Sequence, residues 1–185
     1  MYYEIRFAGF GGQGIIKSGE IAGKAAINND KYFATMVQNY GPESRGGSSS
    51  AQVIISDSQI AYPIITQPDI LVVMSQEAYS KYAAELKPGG IMLVEEDMVN
   101  LGNPPANIRI VKVPATRLAE ESGKKMVANI VMLGALKVFI EALTKEALVS
   151  AIKSTVPPGT EEVNLKAFQK GIDCASAFNN KVNKT

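Results

Sequence analysis

Residues 8–14 read AGFGGQG, between an apolar opening (residues 2–8, YYEIRFA) and the segment IIKSGEIAGKAA that starts at Ile15. Gly9-Phe10-Gly11-Gly12-Gln13-Gly14 satisfies G-x-G-x-x-G in the setting that gives the pattern meaning, a strand before it and a helix after it. Residues 2–8 have strand character. From 14 to 28 Ile15, Gly19, Ala22, Gly23 and Ala26 recur at helical spacing, and the small residues among them allow a helix to lie close on a sheet. The glycines let the backbone turn tightly and approach an anion, whose charge is met by the unpaired amides and dipole of the helix start. Gly11, Gly12, Gln13 and Gly14 are therefore candidate ligand-binding residues.

The rest of the chain extends this into an α/β architecture: a Rossmann-like, mostly parallel sheet with an edge β-hairpin and C-terminal helices, expected as a single domain over 1–185. Residues 31–38 (KYFATMVQ) predict a second strand, and 40–50 (YGPESRGGSSS) form a loop rich in Gly, Ser and Pro. AQVIIS and IAYPII, joined by Asp57, Ser58 and Gln59, predict a hairpin whose second arm is pushed to the sheet edge by Pro63. Between Arg45 and Asp69 only Asp57 is charged, so this edge invites coverage by another chain. The apolar runs at 69–75 and 90–96 have the pattern of strands buried on both faces, with a helix between them across 76–86, and 108–114 adds one more strand. Helical periodicity then runs to the C-terminus. The segment 126–143 is apolar around most of its circumference, which fits either a central helix under the C-terminal ones or a subunit interface.

A second constellation, Ser44-Arg45-Gly46-Gly47, follows the second strand and in a parallel sheet would emerge at the same carboxyl edge as the glycine turn. Arg45 there supplies a fixed cation suited to a phosphate or carboxylate. A dinucleotide fits less well. It calls for an acidic side chain about 20 residues beyond the glycines to hold the ribose, and Lys31 to Pro42 contains no Asp or Glu. A Walker-type loop cannot be read either, because Ser18 stands where the nearest frame needs glycine. A glycine turn with no ligand, a free-standing dehydrogenase and a purely structural scaffold subunit stay open as alternatives.

With 19 basic and 18 acidic residues the chain has no electrostatic footprint for nucleic acid. It contains no histidine and one cysteine, Cys174, so neither a metal site nor a catalytic residue is assigned, and an iron–sulfur cluster with its roughly four thiolates is out of reach. Cys174 sits among Ile172, Ala175 and Phe178 as a packing residue. No export signal is visible. The apolar stretch 130–140 is far short of the roughly 20 residues of a membrane span, and a cytoplasmic protein with no membrane partner is expected.

FAGFGGQGI followed at this distance by YGPESRGGSSSAQVIIS resembles the gamma subunit of the 2-oxoacid:ferredoxin oxidoreductases, and the likeness spans essentially the whole chain. The resemblance implies a multisubunit enzyme that decarboxylates a 2-oxoacid oxidatively, yields acyl-CoA and reduces ferredoxin. It implies alpha and beta partners, with a delta subunit where one occurs. Thiamine diphosphate, Mg and iron–sulfur clusters would be held outside this chain, which is not expected to be active alone. In this family the gamma part packs beside alpha and is thought to help receive coenzyme A. On that footing Gly11, Gly12, Gln13 and Gly14 would meet an anionic group while Ser44, Arg45, Gly46 and Gly47 shape the other wall.

Overall fold

A computed structural model of the chain describes residues 1–28, 31–41 and 47–182. Six strands form one sheet: β1 (Tyr2–Phe10), β2 (Phe33–Tyr40), β3 (Ser48–Ser56), β4 (Ile70–Val73), β5 (Ile91–Glu95) and β6 (Arg109–Val113), in the spatial order β2-β3-β1-β4-β5-β6. β1, β4, β5 and β6 pair in parallel, whereas β3 runs antiparallel to both β1 and β2. Five strands thus point one way and β3 alone runs against them. The helices are α1 (Ile15–Ile27), α2 (Gln76–Tyr82), α3 (Ala115–Glu121), α4 (Ala128–Lys137), α5 (Lys145–Thr155) and α6 (Glu161–Val182).

Strand alternation sorts the core into two layers. Ile5, Phe7, Val53, Ile70, Val72, Leu93 and Val111 face the side carrying α1 and α3–α6. Ala8, Leu71, Val73, Met92 and Val94 face the other side, covered by Ala78, Tyr79 and Tyr82 of α2. α2 begins cleanly because the Ser75 hydroxyl accepts the Ala78 N–H (3.2 Å). Arg6, next to Ala8's position on that second face, is 3% exposed. Its guanidinium pairs with Glu85, donates to the Ile65 carbonyl (2.9 Å) and lies over the Tyr82 ring, 4.8 Å from its centre.

The edge hairpin exists, but its arms are β2 and β3 rather than AQVIIS and IAYPII. Residues 60–65 form no strand. They cross the sheet face as coil, held where Gln52 Oε1 accepts the Ile65 N–H (3.0 Å) and where Arg6 grips the Ile65 carbonyl. Pro63 accordingly marks a segment outside the ladder. The edge belongs to β2, which carries no charged residue and exposes Phe33 and Tyr40.

The predicted helix over 126–143 is shorter than its apolar run. After Lys137 the chain tightens into three-residue turns, Phe139 N–H to Leu136 O (3.0 Å) and Leu143 N–H to Ile140 O (3.3 Å). Every residue from Ala128 to Leu136 is buried, so α4 is the central helix, under α6 and against α1 and α3. Its seat is made by two glycines. A Cβ at Gly134 would collide with the Phe168 carbonyl of α6, and one at Gly171 would collide with the Val131 carbonyl of α4. The two helices meet main chain to main chain. Cys174 packs at the margin of this core, where burial, and secondarily the charge of Glu96, push its thiol above the ordinary cysteine range. No helix among the described residues is long and apolar enough to cross a membrane.

Candidate functional site

β1 brings the chain to the carboxyl edge at Phe10, and the glycine turn begins there. Gly11 donates its N–H to the Gly47 carbonyl (2.8 Å), and Gly41 donates to the Ser48 carbonyl (2.6 Å), so both glycine-rich segments are rooted at one edge. The lone reversed strand produces this: β3 starts beside the ends of β1 and β2, in the register Phe10↔Ser48 and Tyr40↔Ser49. Gly12 and Gly14 take φ of +94° and +74°, values at which an L side chain is strained. Gly14 caps α1. Its carbonyl accepts the Ser18 N–H (2.9 Å), the Ser18 hydroxyl (3.1 Å) and the Asn129 Nδ2 (3.2 Å). The first turn of α1 holds no acid, so its unpaired amides and dipole face no competing negative charge.

Gln13 folds back against the strand ends. Its Oε1 accepts the Phe10 N–H (2.7 Å) and its Nε2 donates to the Met74 carbonyl (2.8 Å). Gly9 leaves the space for this, since a Cβ there would collide with Gln13 Oε1.

Beside the turn opens a cavity of about 310 Å³ between α1, the start of α4, the 155–157 segment and the start of α6. Met126, Val127, Ile130, Val156, Pro157 and Val163 give it an apolar floor, and Gly12, Gly14, Lys17 and Lys124 stand at its rim. Lys17 is paired with Glu20 (3.1 Å), whose carboxyl is held below the usual range chiefly by its hydrogen bond to Lys24. Lys124 has no carboxylate partner among the described residues. Asn129 and Asn164, each 5% exposed, complete the wall. Asn164 Nδ2 donates to the Thr160 carbonyl (2.8 Å), as Asn129 Nδ2 does to Gly14. The arrangement suits a molecule with a phosphate-bearing end and an apolar body.

Of the residues expected at the site, Gly11, Gly12, Gln13 and Gly14 form the turn, and Gly47 is joined to Gly11. Ser44, Arg45 and Gly46 lie outside the described residues. Lys17, Lys124, Asn129 and Asn164 were not anticipated as lining residues. Asn129 did carry a signal, because an amide inside an apolar helical run needs a polar partner, and it found one in the glycine turn.

Two features argue against a dinucleotide in the usual place. β3 intervenes between β1 and β2, so the end of β2 is not the neighbour of the glycine turn that ribose recognition uses. In addition, α1 and α2 leave for opposite faces, which places the crevice of an open sheet between β1 and β4, and the Gln13 amide spans that gap. At the same edge Glu95, fully buried, accepts from the Thr116 N–H (3.0 Å) and hydroxyl (2.6 Å) and from the Asp97 N–H (3.2 Å), which commits it to starting α3.

Residues 4–174 match the family described as pyruvate ferredoxin/flavodoxin oxidoreductase, and the chain belongs to that family. Within it the chain is a gamma subunit of a 2-oxoacid:ferredoxin oxidoreductase, a component of an oxidoreductase complex rather than a free-standing dehydrogenase. It is similar to the 2-oxoglutarate synthase subunit KorC of Methanocaldococcus jannaschii, 50% identical over 177 residues that cover 95% of each chain. The keto/oxoacid ferredoxin oxidoreductase gamma subunit of Geobacter sulfurreducens superposes with a TM-score of 0.86 at 43% identity, over 96% of this chain and 98% of that one. The 2-oxoglutarate:ferredoxin oxidoreductase of Magnetococcus marinus, solved with 2-oxoglutarate, coenzyme A and succinyl-CoA bound, gives a TM-score of 0.87 at 25% identity. That match covers 95% of this chain and 31% of the Magnetococcus chain, so there the same fold is one part of a longer polypeptide.

Proposed function

We propose that this subunit, acting as one domain over 1–185, supplies the coenzyme A-binding wall of its complex, and that the 2-oxoacid oxidised there is 2-oxoglutarate. The phosphates lie against the glycine turn at Gly12 and Gly14 and the charges of Lys17 and Lys124, and Arg45 of the second glycine-rich segment is a further candidate cation. The apolar floor takes the body of the coenzyme. Holding the thiol end toward an acyl group carried by a partner subunit converts a collision into a positioned encounter. The observation that carries the reading is the pairing of a glycine turn at a helix start with a lysine-rimmed apolar cavity. The choice of 2-oxoglutarate draws on the KorC relatives, at about half identity over nearly the whole chain.

The residues here do not fit the redox groups. The chain has one cysteine and no histidine, and no group of three or more metal-binding side chains occurs among the described residues. The clusters therefore belong to alpha, beta or delta subunits, which also meet ferredoxin, and the family resemblance assigns thiamine diphosphate and Mg to those subunits as well. This chain binds and orients.

The test uses the assembled complex. Lys124→Ala removes a charged contact to phosphate worth about 1.5–3 kcal/mol, so KM for coenzyme A rises about tenfold or more while kcat and the KM for the 2-oxoacid hold. Arg45→Ala acts in the same direction without loss of assembly. Unchanged coenzyme A KM in both variants would overturn the reading.

A further inference from the structure

The glycine turn could hold its shape through its own backbone alone, and two observations say that it does not. Gln13 is the one non-glycine residue between Gly11 and Gly14, and its amide is used at both ends: Oε1 takes the Phe10 N–H and Nε2 gives to the Met74 carbonyl. Within the turn, the Gln13 N–H to Phe10 carbonyl bond is long, at 3.2 Å. The side-chain bonds are the shorter ones, and they connect the last residue of β1 to the residue that follows β4. Gly9 completes the device by leaving no Cβ in the space Oε1 occupies.

We infer that Gln13 is a positioning residue for the anion site. Its side chain touches no ligand. It stitches the carboxyl ends of β1 and β4 together, closes the crevice between them, and so fixes Gly12 and Gly14 against the cavity on the α1/α4 side, while the Gly11 N–H stays committed to the Gly47 carbonyl. This rests on the coenzyme A reading for what the amides hold, but the stitch itself is a property of the polypeptide. The motif's glutamine is then chosen for carrying a donor and an acceptor on one planar group, which neither Glu nor Met can reproduce.

A double-mutant cycle tests it, because Gly9→Ala displaces the Gln13 amide without altering Gln13, although its Cβ also presses on the buried Ile15 side chain. Amide hydrogen exchange on the full chain and steady-state kinetics on the assembled complex are measured for Gln13→Met, Gly9→Ala and the double variant. Exchange at Phe10 is expected to speed at least tenfold in each single variant, and KM for coenzyme A to rise by a similar factor with kcat held. The double variant should be no worse than Gly9→Ala alone, since both substitutions remove the same stitch and only Gly9→Ala adds the contact with Ile15. Effects that multiply in the double variant, or Phe10 exchange unchanged in Gln13→Met, would overturn the inference. So would faster exchange with an unmoved coenzyme A KM while Lys124→Ala still raises it. If neither Lys124→Ala nor Gln13→Met moves that KM, yet Phe10 exchange is faster, the stitch stands and the coenzyme A reading fails.

Discussion

Gly14 shows how much one position can carry. It sits at φ +74°, its carbonyl takes three hydrogen bonds, and a Cβ would come within 2.5 Å of Asn129 Nδ2. Gly14→Ala therefore combines backbone strain with displacement of a buried amide, and a loss of about 2–4 kcal/mol is expected in urea unfolding of the isolated chain. Gly12→Ala, at φ +94° with open space around it, should cost only the strain, about 1 kcal/mol. At this scale the sequence was partly readable. The glycines and the absence of an acid after the second strand were visible as letters. The roles of Lys124 and Asn164 were not, because they reach the turn from positions more than 100 residues away and no local period encodes that approach. Gln13 was visible, but as a backbone amide in a glycine motif. The task of its side chain depends on Met74, the residue after a strand that only the tertiary fold brings alongside.

Sequence pattern gave most elements well, including the runs buried on both faces that form β4 and β5, and failed at the boundaries of the helix that is apolar all round. α4 illustrates the failure: an all-round apolar run has no polar face to mark its end, so the stretch 126–143 read as one helix although only Ala128–Lys137 is α-helical, with a 3-10 turn over Lys125–Val127 before it. The hairpin illustrates a second failure. AQVIIS was rightly a strand, but both flanking segments are uncharged and β-prone, and local pattern cannot choose which one pairs with it. The choice falls on β2, leaving 60–65 to be pinned by Arg6 and Gln52. Element contact also yields a sharp prediction. Gly171→Ala places a methyl group against the Val131 carbonyl, backbone that cannot swing aside, so it should destabilise the chain by about 3 kcal/mol or more, whereas Ala175→Gly in the same helix should cost about 1 kcal/mol. Chemical unfolding of the two variants side by side checks the contrast.

Across the whole molecule the two edges of the sheet do different work. The carboxyl edge carries the turn, the cavity and the roots of both glycine segments. The opposite edge is closed by ion pairs: Lys87 Nζ lies 2.5 Å from Glu4 and 2.9 Å from Asp69, whose other oxygen accepts the Glu4 N–H (2.8 Å). Partial burial pushes the Lys87 ammonium down, but hydrogen bonds to Glu4 and Asp69 outweigh it and hold the group above the ordinary lysine range. A raised folded value means that this stabilisation is complete below the unfolded pKa of about 10.4 and is lost as pH climbs through the folded value. The stability gap between wild type and Lys87→Met should therefore be flat from pH 7 to 9 and shrink in the alkaline range, as followed by unfolding midpoints. The glycine contacts between α4 and α6 bear on the opposite end. α4 and α6 each give the cavity two of its lining residues, Asn129 and Ile130 from one and Val163 and Asn164 from the other. Peptide groups in contact set the gap between these helices, so the aperture has a ruler that mutation of hydrophobic side chains cannot recalibrate. Descendants of this sequence that keep both glycines should admit a guest of the same girth even where apolar interior residues are exchanged for others of similar volume.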